Sequence, residues 1–143
     1  TKYLPVSAEI VVKVKTISPV YVDSFPKVLE EGHLYISRPF RTACHRCCCG
    51  CGTKIVTPLR PTEYRLTDVG GRVSLFPSIG NWNHACRSHY VIRNGQVVAA
   101  GDMSQEEIEE GRLRDAAEKR VYYSPPQRSW WLEFLEWIKS RVR

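Results

Sequence analysis

Five of the six cysteines, Cys44, Cys47, Cys48, Cys49 and Cys51, fall within eight residues, and the sixth, Cys86, stands alone. Cysteines this close in sequence rarely meet the Cα separation and Cβ orientation of a disulfide, whereas thiolates converging from one tight turn suit a tetrahedral soft-metal site. Bound Zn²⁺ in a reducing, cytoplasmic compartment is therefore the expectation. A structural zinc needs four N or S ligands, which one turn seldom supplies, so a distant segment must contribute. Residues 85–90 (ACRSHY) offer Cys86 and His89, three apart. Within the turn the choices are Cys47/Cys49/Cys51 or the pairs Cys44/Cys47 and Cys48/Cys51, with His45 and His84 as further candidates. Spacing leaves these alternatives open. A zinc that merely staples a small sheet is the commoner outcome for cysteine-rich sites. A catalytic zinc keeps three protein ligands and an open water position, and no HExxH is present.

Between the turn and Cys86 lies SLFPSIGN, residues 74–81, where a strand ends in a proline-set turn that would hold Ser78 at an exposed strand terminus. A serine becomes a nucleophile only when a base takes its proton; His84 and His89 are nearest in sequence, with Ser88 beside the latter. Gly80 and amides near Ser78 are candidate oxyanion donors. The plainer alternative makes Ser78 a turn cap and His89 a ligand or a core histidine. Since a metal-bound His89 is not free to act as a base, His33 is the fallback, with Asp23, Asp68 and Asp102 as possible orienting carboxylates.

These residues need a scaffold, and 143 residues with 43% hydrophobic and 25% charged side chains suffice for a packed domain rather than a disordered chain. A single zinc-binding domain over 1–143 is expected, mainly β with the metal site over 1–101 and helical over 102–143. No apolar run reaches bilayer-spanning length and no secretory signal opens the chain, so no membrane partner is expected. The net charge of +6 invites a nucleic-acid reading, but the basic residues are scattered and the densest stretch, 112–120, is interleaved with Asp115 and Glu118, which argues against it.

Strands are expected at 8–15, 33–36, 54–59, 63–67, 73–76, 90–93 and 96–100, forming one small antiparallel sheet, with 17–26 a turn-containing connection. Asn94-Gly95 between apolar runs predicts a type I′ hairpin turn. Ser104 with Glu107 predicts a capping box opening a helix over 105–120. Ser124-Pro125-Pro126 breaks the chain before a second helix over 129–142, whose Trp131, Leu135, Ile138 and Val142 stripe, widened by Trp130, Phe134 and Trp137, is expected in the core. The fold class is thus α+β: a small sheet with a zinc-stapled cysteine turn, then two helices packed on it.

The motifs CCCGCG at 47–52, LFPSIGN at 75–81 and CRSHYVIRNGQVV at 86–98, in that order over the middle third of the chain, resemble a bacterial family, the domain of unknown function 6527 family. Its members are the deubiquitinase-like protease component of bacterial ubiquitination-like operons, beside E1-like, E2-like and ubiquitin-like proteins. The resemblance implies Cys47, Cys49, Cys51 and Cys86 as metal ligands, since these match the family pattern, while Cys48 stands where the family has proline. It also marks Ser78, Ser88 and His89 as the family's polar positions. The activity it implies is that of a zinc-stabilised serine-type peptidase acting at the C-terminus of a ubiquitin-like protein, with Ser78 the first choice of nucleophile, Ser88 its rival and His89 the base. The alternatives are a non-catalytic zinc-binding adaptor of the same pathway and a zinc metallopeptidase.

Overall fold

The computed structural model describes residues 12–101, 104–124 and 130–142. Part of the first expected strand, Asp102, and the Pro125-Pro126 break lie outside them. Short β-branched runs separated by glycine and proline turns form eight strands: β1 (Ser18–Tyr21), β2 (His33–Ser37), β3 (Thr42–Arg46), β4 (Lys54–Pro58), β5 (Arg65–Val69), β6 (Arg72–Gly80), β7 (His89–Arg93) and β8 (Gln96–Ala99). Two helices come after them, α1 (Gln105–Tyr123) and α2 (Trp130–Arg141). The α+β class holds, with one refinement: there are two four-stranded sheets, ordered β1-β2-β3-β4 and β5-β6-β7-β8. All pairings are antiparallel except β1 with β2, which are parallel.

Alternating positions of both sheets feed one core. Leu34 and Ile36 of β2, Ala43 of β3 and Ile55 of β4 pack with Val73, Leu75 and Ile79 of β6, Tyr90 and Ile92 of β7 and Val97 of β8. Each sheet thereby removes the other's apolar face from water, the main stabilising term for such a fold. Residues 12–15, expected as strand, form none. Their backbone is used otherwise: the amides of Lys13 and Val14 both donate to the Cys48 carbonyl, and the Lys15 carbonyl accepts from Val97. The N-terminal segment thus clips the cysteine turn to the second sheet.

The hairpin turn has the expected signs, with φ of 50° at Asn94 and 74° at Gly95. The capping box is complete, Ser104 Oγ accepting from the Glu107 amide and Glu107 accepting from the Ser104 amide. Ile108 is the buried residue of α1. The aromatic stripe of α2 departs from the expected core position: Trp131 and Trp137 are 55% and 53% exposed, and Leu135 and Phe134 are exposed too. The physical reason is that the two sheets already close on each other, and among the described residues the shared core takes no side chain beyond Val97.

Candidate active site

Ser78 reaches its position through an irregularity in β6. Leu75 pairs with Ile92 and Ile79 with Tyr90, so Phe76, Pro77 and Ser78 lie opposite Val91 alone. The Phe76-Pro77 peptide bond is cis. Beyond the bulge the ladder is regular again, with Gly80 opposite His89 and the Asn81 amide donating to the Ser88 carbonyl at 2.8 Å. Directly paired residues share a face, as do residues two apart, so Ser78, Gly80 and His89 lie on one face while Ile79 and Tyr90 enter the core. A serine and a histidine diagonal to each other across a pair are within reach.

They meet. Ser78 Oγ lies 2.8 Å from His89 Nε2, and His89 Nδ1 lies 2.7 Å from the Gly101 carbonyl oxygen. A carbonyl only accepts, so Nδ1 carries the proton, and the lone pair of Nε2 accepts from the Ser78 hydroxyl. The imidazole has an aromatic neighbour as well: the Trp82 indole lies 5.0 Å away, tilted 59°, and the Arg87 guanidinium covers that indole at 5.5 Å. Trp82 fits because Gly80 has no side chain; a Cβ there would sit 2.5 Å from the indole Nε1. Ser78 is half-buried, as an accessible nucleophile must be, and His89 is 9% exposed.

Four sulfurs gather behind the dyad. The Sγ atoms of Cys47, Cys49, Cys51 and Cys86 lie within 4.8 Å of one another, with Cys47 3.4 Å from Cys49 and 3.9 Å from Cys86. Zn–S bonds of about 2.3 Å would place tetrahedral sulfurs about 3.8 Å apart, so this donor set fits a soft cation such as Zn²⁺. Gly50 and Gly52, at φ of 91° and 83°, let the turn fold back on itself. Electrostatics already favours a thiolate at one position: burial pushes the Cys51 thiol up, but hydrogen bonds from Thr53 and from the thiols of Cys49 and Cys86 bring it down to about 6. Burial raises Cys47, with the Ser88 hydroxyl acting against it.

The remaining candidates fall elsewhere. Ser88 is 1% exposed, 3.0 Å from Cys47 Sγ and 3.4 Å from Cys86 Sγ, and accepts from Asn81 Nδ2 at 2.8 Å. It packs against the sulfurs and not against an imidazole. Cys44 and Cys48 are buried outside the cluster, and desolvation pushes Cys48 up to about 12. His45 turns away from the thiols into the core, its Nε2 2.7 Å from the Tyr90 hydroxyl, and burial lowers its pKa to about 4. The His84 amide closes a turn onto the Asn81 carbonyl, and His33 pairs with Glu30 at 3.8 Å. Asp68 accepts from Tyr21 and from the Gly71 amide, and Asp23 lends its carbonyl to Ser37. The partner of His89 Nδ1 is thus a main-chain carbonyl, which no side-chain inventory could reveal. Asn81, in the LFPSIGN motif, is a further residue missed: buried, it aims Nδ2 at Ser88 and, at 3.6 Å, at Cys47 Sγ.

Compared with known proteins, the chain matches over residues 21–100 the family model described as bacterial ubiquitination-like system serine protease (BubE). That span holds β2 through β8, all four clustered thiols, Ser78 and His89. No curated protein and no solved structure matches the chain.

Proposed function

We propose, from the premise that this chain belongs to the family of bacterial ubiquitination-like system serine proteases (BubE), that Ser78 is its nucleophile and His89 its general base. The observation that carries this is one imidazole bonded at both nitrogens, Nε2 to the Ser78 hydroxyl at 2.8 Å and Nδ1 to the Gly101 carbonyl at 2.7 Å. As Ser78 Oγ bonds to the substrate carbonyl carbon, its proton passes to Nε2. The imidazolium returns that proton to the departing nitrogen or oxygen as the acyl bond breaks, and water hydrolyses the acyl-serine by the same route. The Gly101 carbonyl fixes the tautomer as a carboxylate would, but faces the imidazolium with a dipole instead of a full charge.

Zn²⁺ would be held by Cys47, Cys49, Cys51 and Cys86, where it supplies folding energy and fixes the 86–89 segment that carries His89. Four thiol donors leave no position for a metal-bound water, which speaks against the metallopeptidase alternative. The substrate we infer is the C-terminus of a bacterial ubiquitin-like protein, cleaved from a precursor extension or a conjugate, with E1-like and E2-like enzymes as pathway partners and the cytoplasm as the compartment. The test is cleavage of such a precursor by metal-loaded protein. Ser78→Ala is expected to abolish turnover while retaining metal and melting temperature, and Ser88→Ala to retain turnover. Undiminished cleavage by Ser78→Ala sinks the assignment, and tight binding without any turnover by the wild type supports the adaptor.

A further inference from the structure

The end of β6 that carries Ser78 is paired on one side only. Strand β5 pairs with β6 from Val69↔Arg72 to Arg65↔Phe76 and then ends, so among the described residues Pro77 to Gly80 have no neighbour on that side. The ladder to β7 decides which groups this leaves open. The Asn81 amide donates to Ser88, so Asn81 and Ile79 turn their main-chain groups toward β7; by the antiparallel alternation, Ser78 and Gly80 turn theirs outward. The nucleophile's own strand thus presents two residues' worth of N–H and C=O to an open edge.

Helix α1 reaches toward that edge through two side chains, Arg112 donating to Asn83 Oδ1 at 2.7 Å and Lys119 to Glu63 at 3.1 Å. The two contacts are seven residues apart along α1, about 10.5 Å at 1.5 Å per residue. Adjoining the start of that edge at Pro77 lies a cavity of about 830 Å³, whose lining includes Leu59, Tyr64, Leu66, Phe76, Pro77 and, from α1, Asp115. It begins one residue from Ser78. Phe76 is 64% exposed there, with the Arg65 guanidinium 5.1 Å from its ring centroid.

We propose that this cavity and the edge it adjoins form the substrate-docking groove, and that its occupant is an extended peptide adding as a strand to the free edge of β6 at Ser78 and Gly80, with an apolar side chain seated against Phe76. The inference deepens the hydrolase reading and rests on it. Main-chain pairing with Gly80 holds the chain in register, the outward Ser78 amide faces the reacting carbonyl oxygen, and the Ser78 hydroxyl lies beside the scissile bond. A flexible C-terminal tail can enter such a groove where a folded surface cannot.

Two covalent probes separate this proposal from the reading beneath it. A small alkyl fluorophosphonate needs only the dyad; a hexapeptide ending in a glycine phosphonate, with leucine at its upstream positions, needs the groove as well. Asp115→Trp, which fills the cavity from the α1 side and leaves the β6 bulge untouched, is expected to lower the inactivation rate by the peptide at least tenfold and to leave fluorophosphonate labelling within twofold of wild type. N-methylation of successive peptide amides is expected to alternate, costing about fivefold where the amide faces β6 and little where it faces away, as the loss of single hydrogen bonds requires. A flat N-methyl profile, or peptide inactivation of Asp115→Trp at the wild-type rate, overturns the groove and leaves the dyad standing. No fluorophosphonate labelling of the wild type overturns the dyad and, with it, the groove.

Discussion

Gly80→Ala tests how tightly the dyad is supported. A methyl at this position meets the Trp82 indole at 2.5 Å from Nε1, 3.1 Å from Cε2 and 3.2 Å from Cδ1. Ordinary contact lies at roughly 3.6 Å, so the indole must retreat by about 1 Å. The His89 imidazole and the Arg87 guanidinium both lie against it, 5.0 and 5.5 Å from its ring. Overpacking of this kind costs about 1–3 kcal/mol, offset by about 0.4–1 kcal/mol from the stiffer unfolded chain, for a net loss of roughly 0.5–2 kcal/mol. The larger effect falls on chemistry: moving His89 by the same distance lowers reactivity by up to about a hundredfold. The assay is the rate of fluorophosphonate labelling beside a urea melt, for Gly80→Ala, Trp82→Ala and the double variant. In the Trp82→Ala background the three nearest atoms to the added methyl are gone, so the labelling rate should not change and only the gain of about 0.4–1 kcal/mol from the stiffer unfolded chain should remain. A Gly80→Ala effect of the same size with and without Trp82, or none at all in the wild type, refutes a role for this packing.

Ser88→Ala should destabilise by about 1–3 kcal/mol, because it strands the buried Asn81 donor, yet leave Ser78 labelling intact, as paired urea melts and labelling rates would show. Cys86→Ser should lower bound metal to near zero by atomic emission and melt the domain at room temperature, whereas Cys48→Ala, outside the sulfur cluster, should keep full stoichiometry. Tyr90→Phe removes the partner of His45 Nε2 and of the Cys48 amide, and a loss of about 1–3 kcal/mol in the melt is expected with unchanged metal content.

What the sequence disclosed was whatever depends on near neighbours or on rare chemistry. The Asn94-Gly95 turn and the Ser104–Glu107 capping box are local hydrogen-bond and dihedral demands, and both form as expected. The ligand set is different: spacing left several choices, and the family pattern selected the four thiols that converge. Strand β3, which contains Cys44 and His45, was masked by the cysteine run that interrupts its alternation, and β1 was masked by Pro19 within it and Pro26 beyond it. The Gly101 carbonyl had no signal at all, since every residue carries one and only the fold decides which meets an imidazole. The α2 aromatics misled because helical periodicity reports an apolar face without saying what covers it.

The most direct test of the Ser78–His89 dyad is peptide mapping by mass spectrometry of the metal-loaded protein after fluorophosphonate treatment, run beside His89→Ala. The expected result is a single phosphonyl adduct on Ser78 in the wild type and none in His89→Ala at equal metal content. An adduct on Ser88, or one on Ser78 that survives loss of the imidazole, would contradict the dyad.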